Sequence, residues 1–159
     1  MIRVAIVDDQ PLVRAGIRMT LEPEPDLTVV GEGADGDGAV DLVAREQPDV
    51  LLLDVQMPGR DGLDAAREIL SGPSPTKILM LTTFDLDEYV YSALRAGASG
   101  FLLKDMPGED IATAVRQAAR GAEALLAPAL TRRLVERFTT ALPRTTDAVR
   151  LDKLTAREI

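Results

Sequence analysis

The chain has 159 residues, of which 46% are hydrophobic and 28% are charged, a balance typical of a soluble domain with a packed core. It contains no cysteine and no histidine, which excludes disulfides, thiolate or imidazole metal sites, and nucleophiles activated by histidine. Any bound metal would therefore have oxygen ligands, which favours a hard divalent ion such as Mg²⁺.

The net charge of -8 is unevenly distributed along the chain. Residues 128–159 carry seven basic and four acidic side chains, a net charge of +3, so residues 1–127 carry -11. An acidic main domain repels nucleic acid, which argues against direct DNA binding by that part. The sequence has no apolar run of membrane-spanning length and opens without a signal-peptide pattern, so we expect a cytoplasmic protein that does not engage a membrane.

Strand and helix patterns alternate from the N-terminus. An apolar run predicts the first strand at residues 2–7, and Pro11 fits the first turn of a helix that runs to about Glu22. The pattern then predicts a strand at residues 27–30, a loop at residues 33–38 and a second helix from residue 39 to 46.

The third predicted strand, Val50 to Leu53, has no polar break and is typical of a strand buried on both faces of a parallel sheet. It ends in Asp54. Because a buried carboxylate is costly, we expect this side chain at the carboxyl edge of the sheet, where open α/β folds bind ligands. Pro58 and Gly59 then form a turn before the next helix.

The second half of the main domain repeats the alternation. The predicted elements are a helix at 63–70, a strand at 77–81 before Thr82, a helix at 87–96 ended by Gly97, a strand at 99–103 before Lys104, and a helix at 107–120 ended by Gly121. Five alternating strand-helix units predict an α/β fold over residues 1–121, with a doubly wound five-stranded parallel sheet in the order 2-1-3-4-5.

The pattern changes after Gly121. Residues 122–153 are interpreted as a linker that contains one extra C-terminal helix at residues 128–141. The last residues, 154–159, include Thr155 followed by Glu158, a capping box that signals the start of a helix. We therefore expect the sequence to stop at the threshold of a second domain, with a frayed C-terminal tail as the alternative.

Polar side chains follow the predicted strands. The order 2-1-3-4-5 opens a crevice where strands one and three diverge, which brings Asp8, Asp9 and Asp54 together. Clustered carboxylates cannot all stay ionised unless a cation joins them, and Mg²⁺ suits oxygen ligands. Thr82 and Lys104 offer a hydroxyl and an ammonium suited to phosphate oxygens. The set predicts that Asp54 is a phosphoryl-accepting carboxylate, with Thr82 and Lys104 as its catalytic partners.

Residues 2–121 resemble the receiver domain of two-component response regulators. The resemblance rests on Asp8-Asp9, on Asp54 ahead of Met57-Pro58, on Thr82, and on Lys104 at the end of the sequence GASGFLLK. The ending LTAREI is similar to the start of the LuxR-type helix-turn-helix, which indicates the NarL/FixJ subfamily of transcription regulators, truncated before its DNA-binding domain.

The resemblance implies that Asp54 accepts a phosphoryl group from a sensor histidine kinase in the presence of Mg²⁺ or Mn²⁺. It implies that Asp9, Asp54 and the backbone carbonyl of Gln56 ligate the metal, with Asp8 acting through water. Thr82 and Phe101 would form the switch that reports phosphorylation to the face around the fourth helix, the fifth strand and the fifth helix.

For the whole protein, the resemblance implies a phosphoacceptor that loses its phosphoryl group slowly rather than a dedicated enzyme. Phosphorylation would promote a homodimer and so control transcription, with DNA bound only through the missing C-terminal domain. One feature departs from the family pattern. Lys104 is followed by Asp105 where many receivers have proline after a cis bond, which leaves the geometry of this bond open. Phe101 has no hydroxyl, so its switching would work through ring packing.

Three features of the sequence bear on rival functions. Gly31, Gly33 and Gly36 fit a dinucleotide-binding motif, but Glu32 and Asp35 would repel a pyrophosphate, so we interpret these glycines as loop residues. A phosphatase of the haloacid dehalogenase type needs a second acid at the position of Gln56. A receiver-like interaction module that is never phosphorylated remains an alternative.

Overall fold

The computed structural model describes residues 1–82, 93, 95–122 and 125–126. Its strands are Ile2–Val7 (β1), Leu27–Gly33 (β2), Val50–Asp54 (β3), Lys77–Thr82 (β4), Gly100–Leu103 (β5) and Leu125–Leu126 (β6). Its helices are Pro11–Leu21 (α1), Gly36–Glu46 (α2), Gly62–Ser71 (α3) and Gly108–Ala119 (α4, the fifth helix of the sequence prediction).

All strand pairs are parallel, and the sheet order is β2-β1-β3-β4-β5-β6. The first five strands confirm the predicted order 2-1-3-4-5. The sixth strand was not predicted. It pairs Leu125 with Gly100 and Leu126 with Phe101, so it covers the edge of β5. Two residues are too few to show a strand periodicity in the sequence.

The core lies on both faces of the sheet. On one face, α1 and α4 pack over the sheet in one apolar cluster with alternate strand residues, among them Val4, Ile6, Leu52, Leu81 and Leu102. The residues between them, such as Ala5 and Leu53, are fully buried but lie outside this cluster, so they face the other side. The helices α2 and α3 contact each other, α2 packs on β1 and β2, and α3 packs on β3. Burial on both faces explains the unbroken apolar run of β3.

The connection between β2 and α2 differs from the prediction. The β2 strand continues to Gly33, which pairs with Val7, and α2 begins at Gly36 because the Asp35 side chain caps it by accepting from the Gly38 N–H at 2.7 Å. The predicted loop at residues 33–38 was therefore too long. Gly31 and Gly33 lie in β2 rather than in a loop.

The helix terminators were predicted correctly where the structure describes them. Gly97 and Gly121 have φ angles of 106° and 93°, the left-handed conformation that favours glycine after a helix. No peptide bond between described residues is cis, so the bond between Lys104 and Asp105 is trans.

Several sequence predictions fall outside the described residues. They are most of the helix at residues 87–96, the linker helix at residues 128–141, and the start of a helix-turn-helix at residues 154–159. In the part of the chain that is described, no helix combines the length and the apolarity required to cross a membrane.

Candidate functional site

The carboxyl ends of four strands place polar side chains at one edge of the sheet. Asp8 and Asp9 follow β1, Asp54 is the last residue of β3, Thr82 is the last residue of β4, and Lys104 follows β5. Parallel strands end on the same edge, so topology alone gathers residues that are far apart in sequence. The structure thus brings together the predicted phosphoacceptor, the acidic pair and the lysine.

The three aspartates form one cluster. Each offers a carboxylate oxygen, and these oxygens lie within 4.8 Å of one another. The predicted edge position of Asp54 is confirmed, but its side chain is buried: Asp54 is 2% exposed and Asp8 is fully buried, while Asp9 is partly exposed. Burial of two carboxylates is costly unless a cation lies against them.

Lys104 supplies that cation. Its Nζ lies 3.0 Å from Asp8 Oδ2 and 3.1 Å from Asp54 Oδ2, and its side chain is only 14% exposed. Burial disfavours the charged amine, but the hydrogen bonds and charges of Asp8 and Asp54 outweigh it and raise the pKa of Lys104 above its ordinary value. The amine is therefore an ammonium ion at neutral pH.

One ammonium does not neutralise the whole cluster. Burial, followed by the neighbouring charge of Asp8, raises the pKa of Asp54 to about 6, and Lys104 only partly opposes this rise. The cluster holds three carboxyl groups against one ammonium group. An excess of negative charge at a crevice attracts a second cation.

A divalent cation fits this set of ligands. The donors are carboxylate oxygens that already lie close together, which is the ligand type that Mg²⁺ prefers. Gln56 lies in the loop after β3, and its N–H donates to Asp54 Oδ1 at 3.3 Å. Among the described residues, its carbonyl has no hydrogen-bond partner. The residues present are therefore compatible with a magnesium site.

Thr82 and Phe101, the predicted switch pair, are both buried but are not paired with each other in the sheet. Thr82 is 1% exposed, and its Oγ1 has no hydrogen-bond partner among the described residues, whereas its carbonyl accepts from the Lys104 N–H at 2.9 Å. A buried hydroxyl without a partner is unfavourable, and a ligand oxygen at the site would satisfy it. Phe101 is fully buried inside β5, where it pairs with Met80 rather than with Thr82.

Three residues around the site were missed at the sequence level. Arg14 donates from its guanidinium to the backbone carbonyl of Asp8 and also pairs with Glu32. Arg60 pairs with carboxylates on two helices, and Gly62 lies against the backbone of Asp54 so closely that a Cβ would overlap its carbonyl oxygen. Only the contacts of Arg60 could have been predicted from the sequence, because Asp64 and Glu68, four and eight residues later, lie on one face of a helix.

Comparison with known proteins gives a consistent picture. Residues 4–116 match the family model of the response regulator receiver domain. The chain is 52% identical over 120 residues to the uncharacterized transcriptional regulatory protein YxjL of Bacillus subtilis. The matched region covers 76% of this chain and 55% of that protein. The chain is also 38% identical over 128 residues to the nitrate/nitrite response regulator protein NarL of Escherichia coli. This match covers 80% of the chain and 59% of NarL.

A solved structure shows the same fold. The signal receiver domain of the putative response regulator NarL from Mycobacterium tuberculosis superposes with a TM-score of 0.73 at 42% identity, covering 76% of this chain and 97% of that one. The chain spans a little more than half the length of the two curated relatives above. The matched residues include every strand end of the site, and the chain belongs to the response regulator receiver domain family.

Proposed function

We propose that Asp54 accepts a phosphoryl group from the phosphohistidine of a sensor kinase in the presence of Mg²⁺. The observation that carries the proposal is the Lys104 ammonium, which lies against two buried carboxylates of the three-aspartate cluster. An ammonium next to a nucleophilic carboxylate is suited to a group that brings further negative charge into the site.

The chemistry assigns a role to each side chain. A carboxylate oxygen of Asp54 attacks phosphorus, the bond from phosphorus to the donor imidazole nitrogen breaks, and its electron pair stays on that nitrogen. Lys104 pairs with a phosphoryl oxygen, and the Thr82 hydroxyl donates to another. Asp9, Asp54 and the Gln56 carbonyl would hold the metal, with Asp8 acting through water. When bound, the metal supplies positive charge that offsets the charge of the transferring group.

The downstream role rests on the relatives. YxjL is a transcriptional regulatory protein and NarL is a response regulator, and both are longer than the matched region. We infer that phosphorylation shifts a conformational equilibrium, favours a homodimer, and controls a DNA-binding domain C-terminal to the receiver. The Thr82 and Phe101 switch belongs to this proposal.

Incubation with a small phosphodonor and Mg²⁺, followed by intact mass measurement, tests the phosphoryl transfer. We expect one phosphoryl adduct, lost in the Asp54→Ala variant and in the presence of a metal chelator. Rapid release of phosphate with multiple turnover would instead indicate a phosphatase. Absence of an adduct under conditions in which the protein is folded would indicate an interaction module that is not phosphorylated.

A further inference from the structure

The loop that follows Asp54 has few bonds of its own. Val55 fixes its start: its N–H donates to the Leu81 carbonyl at 3.0 Å, and its carbonyl accepts from the Gly62 N–H at 2.8 Å. Between these points, the backbone groups of Met57, Gly59 and Arg60 form no hydrogen bond with any described residue. A segment with so few internal bonds is free to shift unless side chains hold it.

The Arg60 side chain ties this loop to two helices. Its guanidinium lies 3.4 Å from Asp37 in the first turn of α2, and it pairs with Asp64 at 2.7 Å and Glu68 at 2.5 Å on α3. The backbone reinforces the contact, because a Cβ on Gly36 would lie 2.6 Å from the Arg60 carbonyl oxygen. These contacts therefore hold the loop against the start of α2 and the outer side of α3.

We propose that Arg60 is a positioning residue for the metal site. By holding the loop, it fixes the Gln56 carbonyl beside the aspartate cluster and so raises the affinity for a divalent cation. This inference rests on the proposed function, because that function needs the cation. Arg60 does not itself touch the cation or the transferred group in this role; it acts through the loop backbone.

A charge effect and a positioning effect of Arg60 would change the cation affinity in opposite directions. Arg60 is a positive charge near an acidic site, so if charge alone mattered, its removal would raise cation affinity. If positioning dominates, removal lowers affinity, because the loop spends less time in the binding geometry. Ion pairs of this exposure contribute modestly to stability, so the folded state should be little affected.

Arg116 provides a matched control. Its side chain is 25% exposed against 24% for Arg60, and it likewise pairs with acidic side chains, Glu24 and Asp26, but it lies on α4 away from the loop. Replacement of either arginine by glutamine removes one charge and a comparable set of ion pairs. Only the Arg60 change should disturb the loop.

The test measures Mn²⁺ binding by electron paramagnetic resonance of the free ion, for wild type, Arg60→Gln, Arg116→Gln and Asp9→Asn. We expect Arg60→Gln to bind about three- to tenfold more weakly and Arg116→Gln to bind as wild type does. In the metal-free protein, the amides of Gln56 and Gly62, which donate to Asp54 and to Val55, should exchange faster in Arg60→Gln, while the thermal midpoints of the two arginine variants stay alike.

Two results would overturn the inference about Arg60: unchanged or tighter Mn²⁺ binding by Arg60→Gln, or unchanged amide exchange in the loop. Failure of the proposed function looks different. In that case the wild type itself would not bind Mn²⁺, or Asp9→Asn would bind as well as wild type, and the exchange measurement alone would then decide whether Arg60 orders the loop.

Discussion

At the scale of single residues, the site is a balance of charges in a small buried volume. Asp8 and Asp54 are removed from solvent and share one partner, Lys104, within 3.1 Å. This arrangement is unfavourable for Asp54, as the raised pKa shows. Residues placed for a ligand commonly reduce the stability of the free protein. The loss in the free energy of unfolding should therefore be measurable when no ligand is bound.

The pH dependence of stability tests this cost. Asp54 has a pKa of about 6 in the folded state against 3.8 for an unperturbed carboxyl group, so the folded protein binds more protons between these values. Its contribution to the free energy of unfolding therefore falls as the pH rises from about 4 to about 6. In metal-free buffer, Asp54→Asn should stabilise the protein by up to about 3 kcal/mol at neutral pH and much less at pH 4. Urea unfolding at both pH values measures the effect, and a stabilisation independent of pH would contradict it.

Gly62 controls the position of Asp54 through space rather than charge. A methyl group at residue 62 would overlap the backbone carbonyl of Asp54. Because the overlapping atoms belong to the backbone, they cannot rotate away as a flexible side chain could. We predict that Gly62→Ala destabilises the protein by about 2 to 4 kcal/mol and weakens Mg²⁺ binding, as measured by urea unfolding and calorimetric titration. Gly16→Ala is the control: it has open space around it in α1 and should be neutral or stabilising by up to about 1 kcal/mol. Equal effects of the two changes would refute this account.

The polar residues of the site were predictable because each stands next to a strand in the sequence. Asp8, Asp9, Asp54, Thr82 and Lys104 needed only the topology to be placed together. The burial of Asp54 was not predictable, since it depends on how deeply Lys104 reaches into the crevice. The contacts of Gly62 and Arg14 were also missed, because they depend on the path of the backbone in three dimensions.

At the scale of elements, most boundaries were predicted to within one residue, and the exceptions are the end of β2, the start of α2 and the strand β6. The β1 strand and α1 match their predicted ranges to within one residue, because Pro11 and the apolar pattern mark the boundary. The β2 strand extends three residues past its predicted end, since pairing with β1 continues to Gly33. Local patterns do not report such pairing, which depends on a neighbouring strand.

The sixth strand depends on a single glycine. The Leu125 N–H donates to the Ser99 carbonyl at 2.9 Å, and a Cβ on Gly100 would overlap the carbonyl oxygen of Leu125. We predict that Gly100→Ala displaces β6 from the sheet edge. Amide hydrogen exchange should become much faster at Leu125 while Met80, in the β4 strand, keeps its protection. Unchanged protection of Leu125 in the variant would show that β6 tolerates a side chain at this position.

At the scale of the molecule, we predict a change of assembly on phosphorylation. Beryllofluoride mimics a phosphoryl group on a carboxylate, and on Asp54 it would engage Lys104 and Thr82 as the proposed phosphoryl group does. Sedimentation should show a monomer in Mg²⁺ alone and a dimer when beryllofluoride is added, because the ligand favours one of two conformations. The Asp54→Asn variant should stay monomeric in both buffers. A wild-type sedimentation coefficient that does not change would argue against regulated dimerisation.

We infer that remote strand ends build one phosphoacceptor site on Asp54, and finding which residue carries the phosphoryl group tests this inference. The protein is treated with a small phosphodonor and Mg²⁺, the acyl phosphate is reduced with borohydride, and the modified residue is identified by tandem mass spectrometry. We predict modification at Asp54 alone, and none when Mg²⁺ is chelated or when Lys104 is replaced by alanine. Modification of another residue, or of Asp54 irrespective of Mg²⁺ and Lys104, would contradict the account.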